Sequence, residues 1–325
     1  MSATLRSVCL PTLLLAACCG SQAWPCTDVL ATTEPWVVSA RTMDWRADML
    51  SKIIVRPRGV AREAANCPAG SERLRWTAQY GSVTTRSFID ASTSDGLNER
   101  GLSAATLWLS DSRYARPAGK PMVTPMQWAQ VFLDTCGTVE EAVAKAEEFD
   151  VAGLQILLFG DVNVHLVLRD AGGDSAVMEY LDGRLVVHHP MPIPAVTNEP
   201  PYSEMLTRVA AFDGLGGAEP MPFGFDAVSR CARASMWAKR LPKPQNPTQA
   251  VGYAFDVIQT VCRPPGDRAA TLWTAVRDHT NLVYYYRTLN DPQVVSFSLK
   301  DLDLSPGRPE KVLEMHADQT GDIGP

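Results

Sequence analysis

Cys26 is the residue of this 325-residue chain whose type and place most directly suggest chemistry. It follows a stretch typical of an export signal, so removal of the preceding residues would make it the first residue of the mature chain. An N-terminal cysteine carries a thiol that can attack a carbonyl and an α-amine, with a reference pKa of about 7.7–8.0, that can accept its proton. One residue would then supply both nucleophile and base, without a separate histidine.

Residues 1–25 have the composition of a signal peptide followed by a short pro-segment. Arg6 provides the positive start, and the apolar stretch 8–19 is too short to span a membrane comfortably. Ser21-Gln-Ala23 offers small residues for cleavage after Ala23. The dipeptide Trp24-Pro25 would then remain ahead of Cys26, so we expect a second, autocatalytic trimming step.

A second interpretation of the leader remains open, because Leu15-Ala-Ala-Cys18 resembles a lipoprotein box that would place a lipid on Cys18. The later trimming would remove that anchor. No other segment is apolar for the roughly 18 residues that a membrane helix needs. We therefore expect an exported, most simply periplasmic, protein with no stable membrane anchor and a single domain over residues 26–325.

Composition limits the class of partner. The chain is 46% hydrophobic and 20% charged, with a net charge of −6, which is ordinary for a globular protein with a large core. It has no basic run, so nucleic acid is not an expected partner.

Five of the eight cysteines follow the signal, an odd number that allows one free thiol and up to two disulfides, or four small buried apolar residues. These are Cys26, Cys67, Cys136, Cys231 and Cys262.

Metal binding is not expected from this sequence. The cysteines include no CxxC pair beyond the signal, which disfavours a zinc site. His188 and His189 are adjacent in a strand-like stretch, so their rings should point to opposite faces.

The order of elements predicts an α+β fold with two antiparallel sheets stacked between helix layers, because hairpins rather than alternating βαβ units dominate. Predicted strands cover Trp36–Trp45, Lys52–Arg56, Ser87–Asp90, Ser103–Leu109, Leu154–Phe159, Val164–Arg169, Ser175–Tyr180, Arg184–His188, Thr271–Arg277, Asn281–Thr288 and Val294–Ser298. A turn-rich segment covers residues 94–101. Predicted helices cover residues 124–137, 138–149, 201–211, 227–239 and 247–261.

Two charged residues follow Cys26 at a suggestive distance. Arg41 and Asp44 are three apart on a strand-like stretch, so their side chains should leave on opposite faces unless the backbone bends. An arginine near a thiol lowers its pKa, and a carboxylate near an α-amine can hold it in place. Taken alone, each would be interpreted as half of a surface ion pair.

Together with other segments, these residues resemble the choloylglycine hydrolase family, which contains conjugated bile-salt hydrolases and penicillin V acylases. The resemblance extends through most of the mature chain, and one such fragment alone would be weak. Five landmarks occur in the family's order: Cys26-Thr27, Arg41-Thr-Met-Asp44, Gly96-Leu-Asn-Glu-Arg-Gly-Leu102, Thr197-Asn198 followed by Pro200, and Ser229-Arg230 with Arg233.

The resemblance implies an N-terminal-nucleophile hydrolase with a four-layer αββα fold that needs no metal or cofactor. Cys26 would attack the amide carbonyl, and its own α-amine would be the base. Arg41 and Arg230 would flank the thiol, and Asp44 would bind and orient the α-amine.

The resemblance also implies an oxyanion site formed by the side-chain amide of Asn198 and the backbone N–H of Trp108. Bile-salt members usually carry Asn and classical penicillin acylases Tyr at the position of Trp108. Trp45 and Trp108 are expected to line an aromatic acyl pocket, unless they only fill the core. Asn98 is expected mainly to fix its turn, and Arg233 to be structural.

The implied substrate is a small linear N-acyl amide. The chain resembles the exported Gram-negative branch of the family, for which penicillin V and N-acyl homoserine lactones are plausible substrates and bile salts less certain. The segment between Asn198 and Arg230 is short for the family, whose classical members carry a tetramer-assembly loop there; we still expect a homo-oligomer, a tetramer or a dimer. Two alternatives are a papain-like cysteine peptidase and an exported non-catalytic binding protein.

Overall fold

The computed structural model of the chain describes residues 25–87, 89–157 and 160–315. The predicted signal, with Cys18 and the cleavage site after Ala23, lies outside the described residues. In chain order the strands are β1 (Cys26–Thr32), β2 (Val38–Asp44), β3 (Lys52–Arg56), β4 (Ala61–Glu63), β5 (Arg75–Thr77), β6 (Ser82–Arg86), β7 (Asp95–Asn98), β8 (Ser103–Trp108), β9 (Met122–Val123), β10 (Asp150–Val151), β11 (Gln155–Ile156), β12 (Gly160–Asp161), β13 (Val164–Arg169), β14 (Ser175–Leu181), β15 (Arg184–His188), β16 (Ala195–Val196), β17 (Thr271–Asp278), β18 (Val283–Thr288), β19 (Val295–Ser298) and β20 (Lys311–Glu314).

The helices of the described residues lie in two separate stretches between the strands. They are α1 (Pro125–Thr135), α2 (Val139–Lys145, continued by a 3₁₀ turn at Ala146–Glu148), α3 (Tyr202–Val209), α4 (Ala227–Arg240) and α5 (Pro247–Gln259). Their caps follow the sequence. Pro125 opens α1, where a missing N–H costs nothing. The Thr138 hydroxyl accepts from the N–H of Glu141, and the Asp226 carboxylate accepts from the N–H of Ser229 at the start of α4.

Two antiparallel sheets form the centre of the molecule. The first has the order β16-β1-β2-β17-β18-β19, and the second has the order β15-β14-β13-β8-β7-β6-β3-β20. Helices α4 and α5 pack on β1 of the first sheet, and α1 and α2 pack on the second sheet. The layers therefore run helix, sheet, sheet, helix, which confirms the predicted αββα fold.

Buried charges join the two sheets. Arg277 of β17 donates to Asp28 of β1 at 2.5 Å and to Asp95 of β7 at 2.8 Å, while Arg169 of β13 donates to Asp28 at 2.6 Å. Burial by itself would raise the pKa of Asp28, but the two guanidinium groups hold that pKa at about 2. This network fixes how β1, and hence Cys26 at its start, lies over the second sheet.

Two strand predictions and one turn prediction were wrong. The strand expected at Ser87–Asp90 lies at Ser82–Arg86, and the segment expected to be a turn contains β7. Gly96 of β7 is required for close packing, because a Cβ there would meet Leu133 Cδ1 at 2.7 Å and Thr84 Cγ2 at 2.8 Å. Of the expected strand 154–159, only β11 is a strand, paired with β12 in a small hairpin outside the large sheets; residues 158 and 159 lie outside the described residues.

The described cysteines are all free thiols, so the disulfide alternative is not what the structure shows. Cys136 and Cys231 are buried, as expected for small apolar residues, and Cys67 and Cys262 are partly exposed.

Within the described residues no three histidine, cysteine or acidic side chains form a group able to hold a metal ion. Over the same residues, no helix has the length and apolar character to cross a membrane.

Candidate active site

Cys26 and Arg41 meet because β1 and β2 pair in one register. Cys26 lies opposite Met43, and residues two apart on a strand share a face, so the side chains of Cys26, Met43 and Arg41 point the same way. The Nη2 atom of Arg41 lies 3.9 Å from the Sγ atom of Cys26. Asp44 leaves on the other face, toward Thr271 of β17, which confirms the predicted divergence of Arg41 and Asp44.

Arg41 is fully buried and is held by groups that carry no negative charge. Its Nη1 atom donates to the carbonyl of Ser94 at 2.5 Å, and its guanidinium lies 5.1 Å from the centre of the Trp273 ring. No carboxylate of the described residues forms an ion pair with it. The positive charge of Arg41 therefore acts on the thiol of Cys26, and it also lowers the pKa of the buried Asp95 carboxyl.

The thiol is buried, and this burial raises the pKa of Cys26. The charge of Arg41 is the largest influence in the opposite direction; the charge of Asp44 raises the pKa further, and a hydrogen bond from the Asp44 backbone N–H lowers it. In this chain Pro25 still precedes Cys26 and is itself buried, so the Cys26 nitrogen is a peptide N–H and not an amine.

Arg230 forms its hydrogen bonds with the backbone of Cys26, and its charge also lowers the pKa of the thiol, less than the charge of Arg41 does. Its Nη1 atom donates to the Cys26 carbonyl at 2.6 Å and to the Thr27 hydroxyl at 2.6 Å. Its Nη2 atom donates to the Oδ1 atom of Asn198 at 2.9 Å. The cap at Asp226 begins α4 so that Arg230 lies in the first turn, where its side chain reaches back to the start of β1.

Asp44 is a buried carboxylate with one unsatisfied oxygen. Oδ1 accepts from the Thr271 hydroxyl at 2.6 Å, whereas Oδ2 has no hydrogen-bond partner among the described residues and lies 4.0 Å from Arg230 Nη1. Burial raises the pKa of Asp44 to about 6, although Arg230 and the hydroxyl groups oppose the rise. A buried acceptor of this kind is unusual in a core and marks a place for a missing donor.

Asn198 joins the nitrogen of Cys26 to the eight-stranded sheet. Its Oδ1 atom accepts from the Cys26 N–H at 2.6 Å, and its Nδ2 atom donates to the Trp108 carbonyl at 2.9 Å. An amide nitrogen has two hydrogens, so one remains for a substrate oxygen.

The backbone N–H of Trp108 is directed away from β13. Leu109 N–H donates to Asn163 O at 2.9 Å, while Thr106 N–H donates to Ser94 O on the opposite side at 3.0 Å. Alternate residues of a strand share a direction, so the N–H of Trp108 follows that of Thr106.

A cleft of about 820 Å³, partly open to solvent, begins at Cys26. Trp45 and Trp108 both line it, with their ring centres 5.8 Å apart in an edge-to-face arrangement. The other apolar lining residues are Met43, Met49, Pro125, Met126, Ile156, Val162 and Val164. Hydroxyl groups line part of the wall, from Ser87, Ser92, Thr93, Ser94 and Thr106, and two charged residues, Arg46 and Asp161, also line the cleft.

Asn98 and Arg233 are structural, as expected. The Asn98 side chain donates to the carbonyls of Leu133 and Cys136 and accepts from the N–H groups of Arg100 and Leu102. Arg233 donates to three backbone carbonyls, those of Pro222, Gly224 and Thr260. Neither side chain contacts Cys26.

Sequence reasoning missed three residues that shape the site. Thr271 binds Asp44, Ser94 holds Arg41 through its carbonyl, and Trp273 lies against the Arg41 guanidinium. Thr271 and Trp273 lie on the distant strand β17 and Ser94 lies just before β7, and no local motif marks these three residues. The only sequence signal is the predicted strand at 271–277, which pairs with β2.

With this geometry in view, comparison with known proteins decides the family. The sequence model of the linear amide C–N hydrolases, choloylglycine hydrolase family, matches residues 26–319. The chain belongs to the choloylglycine hydrolase family. It is thus an amide hydrolase by descent, and the matched range begins at Cys26.

Relatives within the choloylglycine hydrolase family agree with this assignment. The chain is 33% identical over 298 residues to a penicillin V acylase of Pectobacterium atrosepticum, covering 83% of this chain and 78% of that protein. The structure of penicillin V acylase from Agrobacterium tumefaciens is similar with a TM-score of 0.81 and 36% identity, over 90% of this chain and 93% of that one. A conjugated bile acid hydrolase mutant from Clostridium perfringens shares the fold at 19% identity, with a TM-score of 0.76 over 90% of this chain and 97% of that one.

Proposed function

We propose that the mature protein hydrolyses linear N-acyl amides through a thioester on Cys26, with the α-amine of Cys26 as the base. The observation that carries the proposal is the convergence on one residue of separate partners for its thiol, nitrogen and carbonyl. Arg41 lies beside the thiol, Asn198 binds the nitrogen, and Arg230 binds the carbonyl. Such an arrangement suits a chain terminus that acts as a nucleophile with its own base.

The chemistry follows from these positions. The α-amine takes the thiol proton, and the thiolate attacks the substrate carbonyl while the charge of Arg41 stabilises the thiolate. The oxyanion that forms accepts hydrogen bonds from Asn198 Nδ2 and the Trp108 N–H. The protonated amine then gives its proton to the leaving nitrogen as the C–N bond breaks, and a water molecule hydrolyses the thioester to regenerate the thiol.

Maturation at Cys26 is part of the proposal. A free amine would have more hydrogens than the peptide N–H, which already donates to Asn198. The unsatisfied Oδ2 atom of Asp44 would then gain the donor it lacks. We propose that export to the periplasm and autocatalytic removal of the leader produce this terminus, and that dimers or tetramers form afterwards.

The acyl group is proposed to be aromatic or a long alkyl chain. The cleft beside Cys26 is lined mainly by apolar side chains and by the edge-to-face pair Trp45 and Trp108, which suits a flat ring or a chain. Two relatives are named penicillin V acylases, so phenoxyacetyl amides are the first substrates to try. N-acyl homoserine lactones and conjugated bile salts are the next.

Neither alternative accounts for the site as well. A papain-like peptidase needs a histidine beside its cysteine, but among the described residues the histidines bond elsewhere, as in the contacts of His165 with Glu179 and of His279 with Ser39. A binding protein would have no use for an unsatisfied buried carboxylate whose charge acts on Cys26, as that of Asp44 does.

The test combines chain-end analysis with turnover. Intact mass and N-terminal sequencing of the exported protein should show Cys26 as the first residue with a free thiol. Cys26→Ala should abolish hydrolysis of phenoxyacetyl, fatty-acyl and bile amides, and Cys26→Ser should retain slow turnover because its hydroxyl is far less ionised. A lipid-bearing active enzyme that begins at Cys18, or a Cys26→Ala variant within about tenfold of wild type, would reject the mechanism.

A further inference from the structure

Two consecutive residues, Asn198 and Glu199, hold Trp108: Asn198 bonds its backbone directly, and Glu199 bonds its ring through Ser110. At its backbone end, Asn198 Nδ2 donates to the Trp108 carbonyl at 2.9 Å. At its ring end, the indole Nε1–H donates to the Ser110 hydroxyl at 3.1 Å, and that hydroxyl donates to Glu199 Oε1 at 2.5 Å. The Ser110 backbone N–H donates to the same oxygen at 3.1 Å.

The chemistry of the groups gives this chain of hydrogen bonds one direction. An indole N–H can only donate, so the Ser110 oxygen must accept from it. The Ser110 proton is therefore available for Glu199, whose carboxylate oxygen accepts both the hydroxyl and the backbone N–H of Ser110. Rotation of the indole ring would break its hydrogen bond to Ser110, so this series of hydrogen bonds fixes the plane of the ring.

The orientation of this ring matters because Trp108 lines the acyl cleft and meets Trp45 edge to face. The Oε2 atom of Glu199 is buried without a hydrogen-bond partner among the described residues. A carboxylate with one unsatisfied buried oxygen is a poor choice for stability alone. Its retention beside the oxyanion residue Asn198 suggests a task in the site.

We propose that Ser110 and Glu199 are positioning residues that orient the Trp108 indole and thereby set the selectivity for bulky acyl groups. The proposal rests on the proposed function, since it takes the cleft beside Cys26 as the acyl pocket. Ser110 and Glu199 act through Trp108 and need not touch the reacting atoms. Small acyl groups, which do not reach the ring face, should be insensitive to them.

The experiment measures kcat/KM for a phenoxyacetyl and an acetyl amide of the same amine. In Ser110→Ala the ratio of the two values should fall about 3- to 10-fold, as expected for one lost hydrogen bond, mainly through KM of the phenoxyacetyl substrate. Glu199→Ala should match it, and Glu199→Gln should restore the ratio because its amide oxygen still accepts. Ser103→Ala is the control, since this buried serine lies at the opposite end of β8 from Trp108 and its hydroxyl donates to Arg169 O, away from the cleft.

A double-mutant cycle makes the test specific to the ring. In a Trp108→Phe background there is no indole N–H, so Ser110→Ala should change the ratio no further. An unchanged ratio in Ser110→Ala, or an equal fall with and without the indole, would overturn the proposal. This outcome can be told apart from a failure of the proposed function. If Cys26 were not the nucleophile, Cys26→Ala would remain active, whatever the ratio of the two kcat/KM values in the Ser110 variants.

A second readout does not depend on turnover. In ¹H–¹⁵N spectra of the Cys26→Ala protein, the indole resonance that Trp108→Phe removes identifies Trp108. Ser110→Ala should move that resonance and speed its hydrogen exchange, whereas Ser103→Ala should not. If the Trp108 indole resonance keeps its chemical shift and its hydrogen-exchange rate in Ser110→Ala, the positioning role is refuted, even with no substrate known.

Discussion

Replacing Asp44 by asparagine should stabilise the chain that still carries Pro25 and impair the chain that begins at Cys26. In the first form the Asp44 carboxylate is buried, and its Oδ2 atom has no hydrogen-bond partner among the described residues. In the second form, an α-ammonium group would supply that partner. Asparagine keeps an oxygen for the Thr271 hydroxyl and carries no charge, so it isolates the effect of ionisation.

The size of the effect follows from the pKa. Burial raises the pKa of Asp44 from its ordinary value near 3.8 to about 6. The folded chain therefore holds the proton more tightly than the unfolded chain, and stability falls as the pH rises between these two values. Above about pH 6 the ionised Asp44 should cost about 3 kcal/mol, while below about pH 4 it should cost nothing.

The assay is urea unfolding across this pH range in a Cys26→Ala background that begins at Pro25. Asp44→Asn should leave the free energy of unfolding unchanged near pH 4 and raise it by up to about 3 kcal/mol at neutral pH. Asp28 is the matched control, because its arginine partners hold its pKa at about 2. Asp28→Asn should have the opposite sign: a loss of stability at neutral pH that shrinks as the pH falls from near 3.8 toward 2.

The same substitution in the chain that begins at Cys26 completes the test. There, Asp44→Asn should lower kcat on the order of 10²-fold, because the amine loses the group that orients it. The reasoning would be refuted if Asp44→Asn destabilised the chain that carries Pro25 by the same amount at acid and at neutral pH. That result would mean that the Asp44 carboxylate already has its hydrogen-bond partners before maturation.

Three further outcomes are expected. Arg41→Gln should raise the pKa of the Cys26 thiol by one to three units, because a charge 3.9 Å away contributes about 4 kcal/mol at an effective dielectric constant of 20. Iodoacetamide labelling of Cys26 against pH measures this pKa, with Arg184→Gln, at an exposed position that does not line the cleft, as control. Asn198→Ala should lower kcat about 10²- to 10³-fold with its melting transition retained, and a parallel loss of both would make its role structural. Trp45→Ala should raise KM for phenoxyacetyl or long-chain amides by roughly 10- to 200-fold and for acetyl amides less; equal losses on all of them would mean that the ring only supports the fold.

The sequence predicted the site best for residues that lie close together along the chain. Cys26, Arg41 and Asp44 lie on two consecutive strands, so alternation along β2 already placed Arg41 and Asp44 on opposite faces, and the structure agrees. Asn198 and Arg230 came only from the resemblance to a family, because nothing within their own segments points to Cys26. The register that brings them together is set by long-range packing of α4 on β1 and by the short strand β16.

The errors have a common physical origin. Residues 94–101 contain Gly, Asn and Asp, which favour turns in short windows, yet β7 forms there because Gly96 lets the sheet approach Leu133 of α1. Arg230 was expected beside the thiol only from the resemblance to a family. Its actual position, on the Cys26 carbonyl, depends on where α4 begins relative to β1, which single-sequence patterns do not contain.

The position of Arg230 changes how the two arginines share the work. Arg41 has no carboxylate partner among the described residues, so its charge can act on the thiol. Arg230 instead lowers the pKa of Asp44 and binds the Cys26 carbonyl, which holds Cys26 in place from its C-terminal side. If this division is correct, Arg230→Gln should raise the thiol pKa less than Arg41→Gln does, because the charge of Arg41 lowers that pKa more than the charge of Arg230 does. Arg230→Lys, which keeps the charge, should still lower kcat, because one ammonium cannot replace a fork that bonds Cys26, Thr27 and Asn198 at once. A thiol pKa that rises as much in Arg230→Gln as in Arg41→Gln would show that both arginines act on the thiolate equally, and the division would then be wrong.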